Sequence, residues 1–331
     1  MTQQPAGGAR YWLATIVGGV VCVGVAAALG VSQHSAAVAI VALALGGVGL
    51  LRPEIGALGI LALAVPDLVA TVEVGRFTVR ASQVLAAGTA FGALALLLRR
   101  GTLLATLRRL APVLGLFVGF ALLAAIRLWA LGAPNPVKGY AYAAWGLFVA
   151  IAVAGSLASV LRTPEQIGRG LAVLTAAIAI IAMFGIAQWT IGVAGGKPPL
   201  VTQWIGHLPR INGLSYEPSY FAMTSALALC LAVAAFLGEK SFLRQEIAAG
   251  AAAILALALV LSTSRSGWLG LAVVMLCALV IAVGRWRRLR PLQRCGLWSL
   301  LAAVLLGGLL LNVVRPDDFG EFASRSVDVT E

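Results

Sequence analysis

Two short polar segments of this 331-residue chain carry residue types and spacings suited to gripping an anion. The first reads Arg210-Ile-Asn-Gly213-Leu-Ser-Tyr-Glu217-Pro218-Ser219-Tyr220-Phe221-Ala222. Pro218 suits the first turn of a helix, where its missing N–H has no intrahelical partner to lose. It also drives Glu217 toward an extended backbone, so a helix is expected to start sharply there. The N–H groups of that first turn, with Ser219 beside them, attract anions and phosphate in particular. Arg210 lies a few residues upstream, and its planar guanidinium can pair two phosphate oxygens at once. An interfacial arginine ahead of an ordinary proline-started helix fits the same residues. Glu217 is a candidate proton acceptor. It also fits a carboxylate that pairs with an arginine or favours the helix start by its charge.

The second segment is Ser262-Thr263-Ser264-Arg265-Ser266-Gly267, a few polar residues between two apolar runs. The connection must be tight, so Arg265 has little chain with which to reach water, and its charge is costly unless an anion or carboxylate answers it. The Ser and Thr hydroxyls can cap the interrupted helix ends, and Ser264 and Ser266 can donate to an anion. A capped turn with a snorkelling arginine is the alternative.

The elements that carry these segments follow from composition. Hydrophobic residues make up 61% of the chain and charged residues 11%, against roughly 45–50% and about 25% in soluble domains. With a mean hydropathy of +0.99, disorder, a coiled coil, a disulfide scaffold and an ordinary soluble enzyme are excluded. What remains is an all-α polytopic membrane bundle. Runs long enough to span a bilayer occur near 12–29, 36–51, 55–72, 81–98, 110–131, 140–160, 170–192, 218–237, 246–262, 267–284 and 296–314, about 11 spans forming a single domain over 1–331. The second and ninth runs are short and are expected to extend into flanking polar residues. Residues 99–110 are expected to lie along the interface, with Leu103, Leu104, Leu107 and Leu110 at helical spacing. The segment 72–80 alternates apolar and polar residues, which predicts a short extended loop whose Arg76 and Arg80 anchor at the interface, holding a sugar or phosphate being the alternative.

The net charge of +12 is spread thinly, without the aromatic-interleaved basic stripe of a nucleic-acid surface. It sets orientation instead. With the N-terminus inside, 15 of the 24 basic residues fall inside, including the dense clusters at 99–109 and 285–294. Arg210 and Arg265 then both face outside. Two arginines and a helix start at one external hollow would suit the headgroup of a lipid-linked diphosphate. The first run exceeds a usual signal-peptide core and reads as an uncleaved span. The four cysteines have neither metal-ligand nor redox spacing and read as small core residues, and Trp189 and Trp204 read as interfacial belt residues.

The run Arg210-x-x-Gly213…Glu217-Pro218-Ser219-Tyr220-Phe221-Ala222, followed by Ser262-x-Ser264-Arg265-Ser266-Gly267, resembles the O-antigen ligase/polymerase family. The expected span count and N-inside orientation agree with it. The resemblance covers the chain from the first span to the end, with its specific part at 210–267. It implies a GT-C-like membrane glycosyltransferase of the bacterial inner membrane, active on the outer face and independent of metals and cofactors. It further implies a glycan donor on undecaprenyl diphosphate and, as acceptor, lipid A core or another glycan. Arg210 and Arg265 match the family arginines that engage the donor diphosphate. An acceptor hydroxyl would attack the anomeric carbon, and the arginines would stabilise the departing diphosphate.

The wording at 217–221 leans toward polymerases. The family also places an essential His in a large external loop followed by further spans, and neither His34 nor His207 matches it. The sequence is therefore expected to stop inside that loop, although a short tail fits as well. His207 and Glu217 are the substitute candidates for a base. The rival readings are a secondary transporter, which should show inverted repeats and midplane breaks, and a non-catalytic membrane protein.

Overall fold

The computed structural model describes residues 33–63, 71–74, 77–130, 153–201, 203–205, 208–215, 217–238 and 241–314. It is mostly helical. Five described helices are long and apolar enough to cross a membrane, at 82–99, 164–193, 218–237, 265–288 and 291–313. Leucines and valines along their outer faces, such as Leu269, Val273, Leu276 and Val280, stand exposed. Such faces need an apolar solvent, and the chain is a multi-pass membrane protein. The first expected span, most of the sixth and the tail beyond 314 lie outside the described residues, as does His207.

The packing divides the chain into two units, each compact in itself. The first holds α1 (Gln33–Leu51), α2 (Pro53–Ala62), the strands β1 (Thr71–Val74) and β2 (Phe77–Arg80), α3 (Ala81–Arg99), α4 (Leu103–Ala130) and a helical segment at 153–160. The helices α1 and α3 pack closely, with the Thr89 hydroxyl turned back to the Leu85 carbonyl at 2.7 Å beside Gly49.

Several expectations are corrected here. The second run does extend into polar residues, to Gln33, and His34 lies in the first turn of α1. The third does not continue as one helix to residue 72, because α2 ends at Ala62 and Thr71–Val74 is extended. Its β-branched residues suit a pleated ribbon better than a helix end. The alternating segment after it is an antiparallel hairpin with Thr71 opposite Arg80 and Val74 opposite Phe77. The expected interfacial stretch is no separate element: Arg99 closes α3, and residues 103–110 form the opening turns of the 28-residue α4, which carries Pro112 inside it.

The second unit contains most of α5 (Pro164–Val193), a small hairpin of β3 (Gln203–Ile205) and β4 (Leu208–Arg210), then α6 (Pro218–Leu237), α7 (Gln245–Leu261), α8 (Arg265–Arg285), a 3-10 turn at Trp286–Arg288 and α9 (Pro291–Val314). The helix α7 packs between α6 and α9, and α8 lies along α6. With Ala and Leu on nearly every face, α7 can only be a central helix, and Ala252, Leu255, Ala256 and Leu259 are fully buried. It is short, gaining only Gln245 beyond the apolar run.

The aromatic and sulfur assignments also change. Trp189 is buried in this core with its indole N–H unpartnered among the described residues, so it is no belt residue, whereas Trp204 is exposed. Cys230, Cys277 and Cys295 are exposed on the outer faces of their helices, not in the core.

Candidate functional site

The loop that bears Arg210 is tied down by side-chain amides. Gln188, fully buried near the end of α5, pairs with both backbone polar groups of Gly213. Its Oε1 accepts from the Gly213 N–H at 3.0 Å, and its Nε2 donates to the Gly213 carbonyl at 3.0 Å and to the Pro199 carbonyl at 2.7 Å. Asn212 works the same way: its Nδ2 donates to the carbonyls of Leu200 at 2.8 Å and Ser215 at 2.7 Å. Gly213 has φ +56°, and a Cβ there would stand 2.7 Å from Ile181 Cγ2 and 3.0 Å from the Phe221 ring. Only glycine combines that conformation with that approach. The hairpin itself rests on α5, where a Cβ on Gly192 would meet Pro209 at 2.5 Å.

Arg210 is the last residue of β4, paired across the hairpin with Gln203. Its Nη1 donates to Gln203 Oε1 at 2.7 Å, while its buried Nε has no hydrogen-bond partner among the described residues. Burial pulls its pKa below the usual arginine value, and the nearby Glu217 carboxylate offsets part of that fall. Arg210 and Glu217 therefore feel one another's charge. Glu217 caps α6 in an extended conformation (φ −130°, ψ 135°) with Pro218 behind it, as the sequence predicts, and its carboxylate makes no capping bond. Ser219 follows, half-buried in the first turn.

The second segment is as tight as expected, with three residues between α7 and α8, all of them buried. The Ser262 hydroxyl donates back to the Leu259 carbonyl at 2.7 Å, satisfying one of the orphan acceptors at the end of α7. Thr263 takes φ +49°, an outlier for a β-branched residue, and its hydroxyl donates to the Ser262 carbonyl at 2.8 Å. The Trp268 indole reaches back to the Val260 carbonyl at 3.1 Å. Ser264 occupies the capping position of α8, but its hydroxyl does not cap the helix. It lies 3.0 Å from the Ser266 hydroxyl instead. One of that pair donates to the other, and the acceptor keeps a proton of its own to give. Arg265 and Ser266 open α8 and are exposed.

The two segments meet through their helices. A Cβ on Gly267 would stand 2.8 Å from the Ala222 Cβ, and one on Gly270 would stand 2.8 Å from the Ala226 Cβ. Both contacts advance in the same direction along the chain, so α6 and α8 run parallel. Their starts, at Pro218 and Arg265, lie side by side at the same end of the unit. Parallel helix starts add their positive ends, which favours an anion beside Pro218 and Arg265.

Sequence reasoning missed Gln203, Gln188 and Asn212. Gln188 was detectable as a lone amide in an apolar run, which must find partners inside, and the Asn212-Gly213 pair is a turn signal. Gln203 has no such mark. Comparisons with family models, with curated proteins and with solved structures found no match.

Proposed function

We propose that the chain is a membrane glycosyltransferase of the O-antigen ligase/polymerase type, which takes a glycan from undecaprenyl diphosphate and passes it to an acceptor glycan or lipid A core. The observation that carries this reading is the parallel packing of α6 and α8 through Gly267 and Ala222, with Arg265 at the start of one helix and the Arg210 hairpin ahead of the other. Both arginines then belong to one end of the bundle. A lipid-linked diphosphate is a ligand class that combines a charged head for such an end with a tail in the bilayer.

In this reading Arg210 and Arg265 bind the diphosphate oxygens and stabilise the charge that develops as the lipid diphosphate leaves. Ser219 and the N–H groups of the first turn of α6 donate to the same group. Ser264 and Ser266 supply the remaining hydroxyl proton of their pair. Gln203 aims the guanidinium of Arg210. Glu217, coupled to Arg210 through its charge, is the described carboxylate best situated to take the acceptor proton. Location in a bacterial inner membrane, with the arginines outside, belongs to the same proposal.

The test is turnover of undecaprenyl-diphosphate-linked glycans by the full chain in proteoliposomes. The wild type is expected to release undecaprenyl diphosphate. Arg210→Ala and Arg265→Ala should each lower the rate by about 100-fold, the cost of removing one donor to a developing anion. No turnover of any such donor by the wild type, or full turnover by both variants, contradicts the reading.

A further inference from the structure

The far end of α8 carries a second candidate site, independent of the first. The 21 residues from Arg265 to Arg285 span about 30 Å at 1.5 Å each, close to the thickness of a bilayer core. There, a cavity of about 330 Å³ is lined by Arg285, Arg288, Arg290, Gln293, Leu237 and Leu289. Among the described residues no carboxylate pairs with its three arginines.

The backbone around this cavity is held in place, while the three arginines that line it stand exposed at its mouth. Gln293 is buried, and its Nε2 donates to the Phe236 and Leu237 carbonyls at 3.1 and 3.2 Å, closing the last turn of α6. Its Oε1 accepts the Arg290 N–H at 2.9 Å, which fixes the start of α9. Arg294 stacks over Trp286, 5.4 Å from the ring centroid, and donates to the Trp286 carbonyl at 3.0 Å, pinning the 3-10 turn to α9.

Three guanidiniums without carboxylates select a phosphate group. Two buried leucines in the same wall favour a phosphate that carries apolar substituents over the free ion. We propose that this cavity binds a phosphate ester, specifically the headgroup of an anionic phospholipid from the surrounding leaflet. Arginine pockets between helices at a membrane face suit such headgroups. A scatter of arginines that only fixes orientation would show no such shape, and Arg287, between two lining arginines, does not line the cavity.

The test uses the full chain in nanodiscs of mixed phosphatidylglycerol and phosphatidylcholine, with retained lipid read by native mass spectrometry after transfer to detergent. The wild type is expected to retain phosphatidylglycerol at least about tenfold over phosphatidylcholine. Arg285→Gln/Arg288→Gln/Arg290→Gln should lose that preference, while Arg287→Gln, with a charge removed from the same turn, should keep it. Should the triple variant fail to fold, Arg288→Gln alone against Arg287→Gln reads the same contrast. Equal loss in Arg287→Gln overturns the site in favour of diffuse charge. Displacement of the lipid by millimolar inorganic phosphate overturns the lipid assignment and leaves a soluble phosphate as the ligand. Neither result bears on Arg265, at the other end of α8, or on Arg210 in β4.

Discussion

Gly267 faces Ala222 across the contact between two parallel helices, so closely that a Cβ on the glycine would stand 2.8 Å from the alanine methyl. The pair sits one turn into α6 and two residues into α8. It therefore sets how near the start of one helix lies to the start of the other. Everything proposed about the anion site depends on that proximity, and the first prediction follows from it.

Gly267→Leu should force the helix starts apart and destabilise the chain by about 1–3 kcal/mol, the usual cost of overpacking. Adding Ala222→Gly should return part of the loss, because it removes the methyl that the new side chain strikes. Thermal unfolding of the purified chain in detergent measures both. Equal unfolding temperatures for the single and double variants would show that the two residues do not share one contact.

Gln188→Leu removes three hydrogen bonds and leaves the Gly213 N–H and carbonyl buried without partners. Leaving buried polar groups unsatisfied costs about 1–3 kcal/mol each, so a clear fall in unfolding temperature is expected. Limited proteolysis should also cut the 199–215 loop sooner than in the wild type. An unchanged cleavage pattern would mean that other contacts hold this loop.

Thr263 adopts a left-handed conformation that β-branched residues avoid, at about 1–2 kcal/mol. Thr263→Gly is expected to be neutral or stabilising, since relief of that strain offsets the lost hydroxyl bond of about 1 kcal/mol. Thr263→Val keeps the strain and loses the bond, so it should lower the unfolding temperature. The order glycine above valine in the same melting experiment checks the argument. The reverse order would place the stability of the turn in the side chain instead of the backbone.

The legible part of this molecule was what repeats or breaks a pattern. Apolar runs marked the helices, Pro218 marked the start of α6, and the polar interruption at 262–264 marked a tight turn. Less legible were features decided by distant partners. Residues 55–72 look like one span until the β-ribbon of Thr71–Arg80 claims their end. Tryptophan's preference for the membrane interface places Trp189 there, but α5 turns it inward against the core. Ser264 has the residue type of a helix cap, yet its hydroxyl bonds Ser266. Arg210 and Arg265 stand out by residue type, whereas Gln203, which bonds Arg210 across a three-residue strand pair, is announced by no local pattern.

The central claim is that Arg210 and Arg265 hold one ligand together. The most direct measurement is the affinity of the full chain for undecaprenyl diphosphate in wild type, Arg210→Ala, Arg265→Ala and the double variant. If one headgroup bridges both arginines, each single substitution should weaken binding by about tenfold or more. The double variant should then lose less than the product of the two, because the second guanidinium has little left to hold. Strictly multiplicative losses, or affinities that do not move, would contradict a shared site.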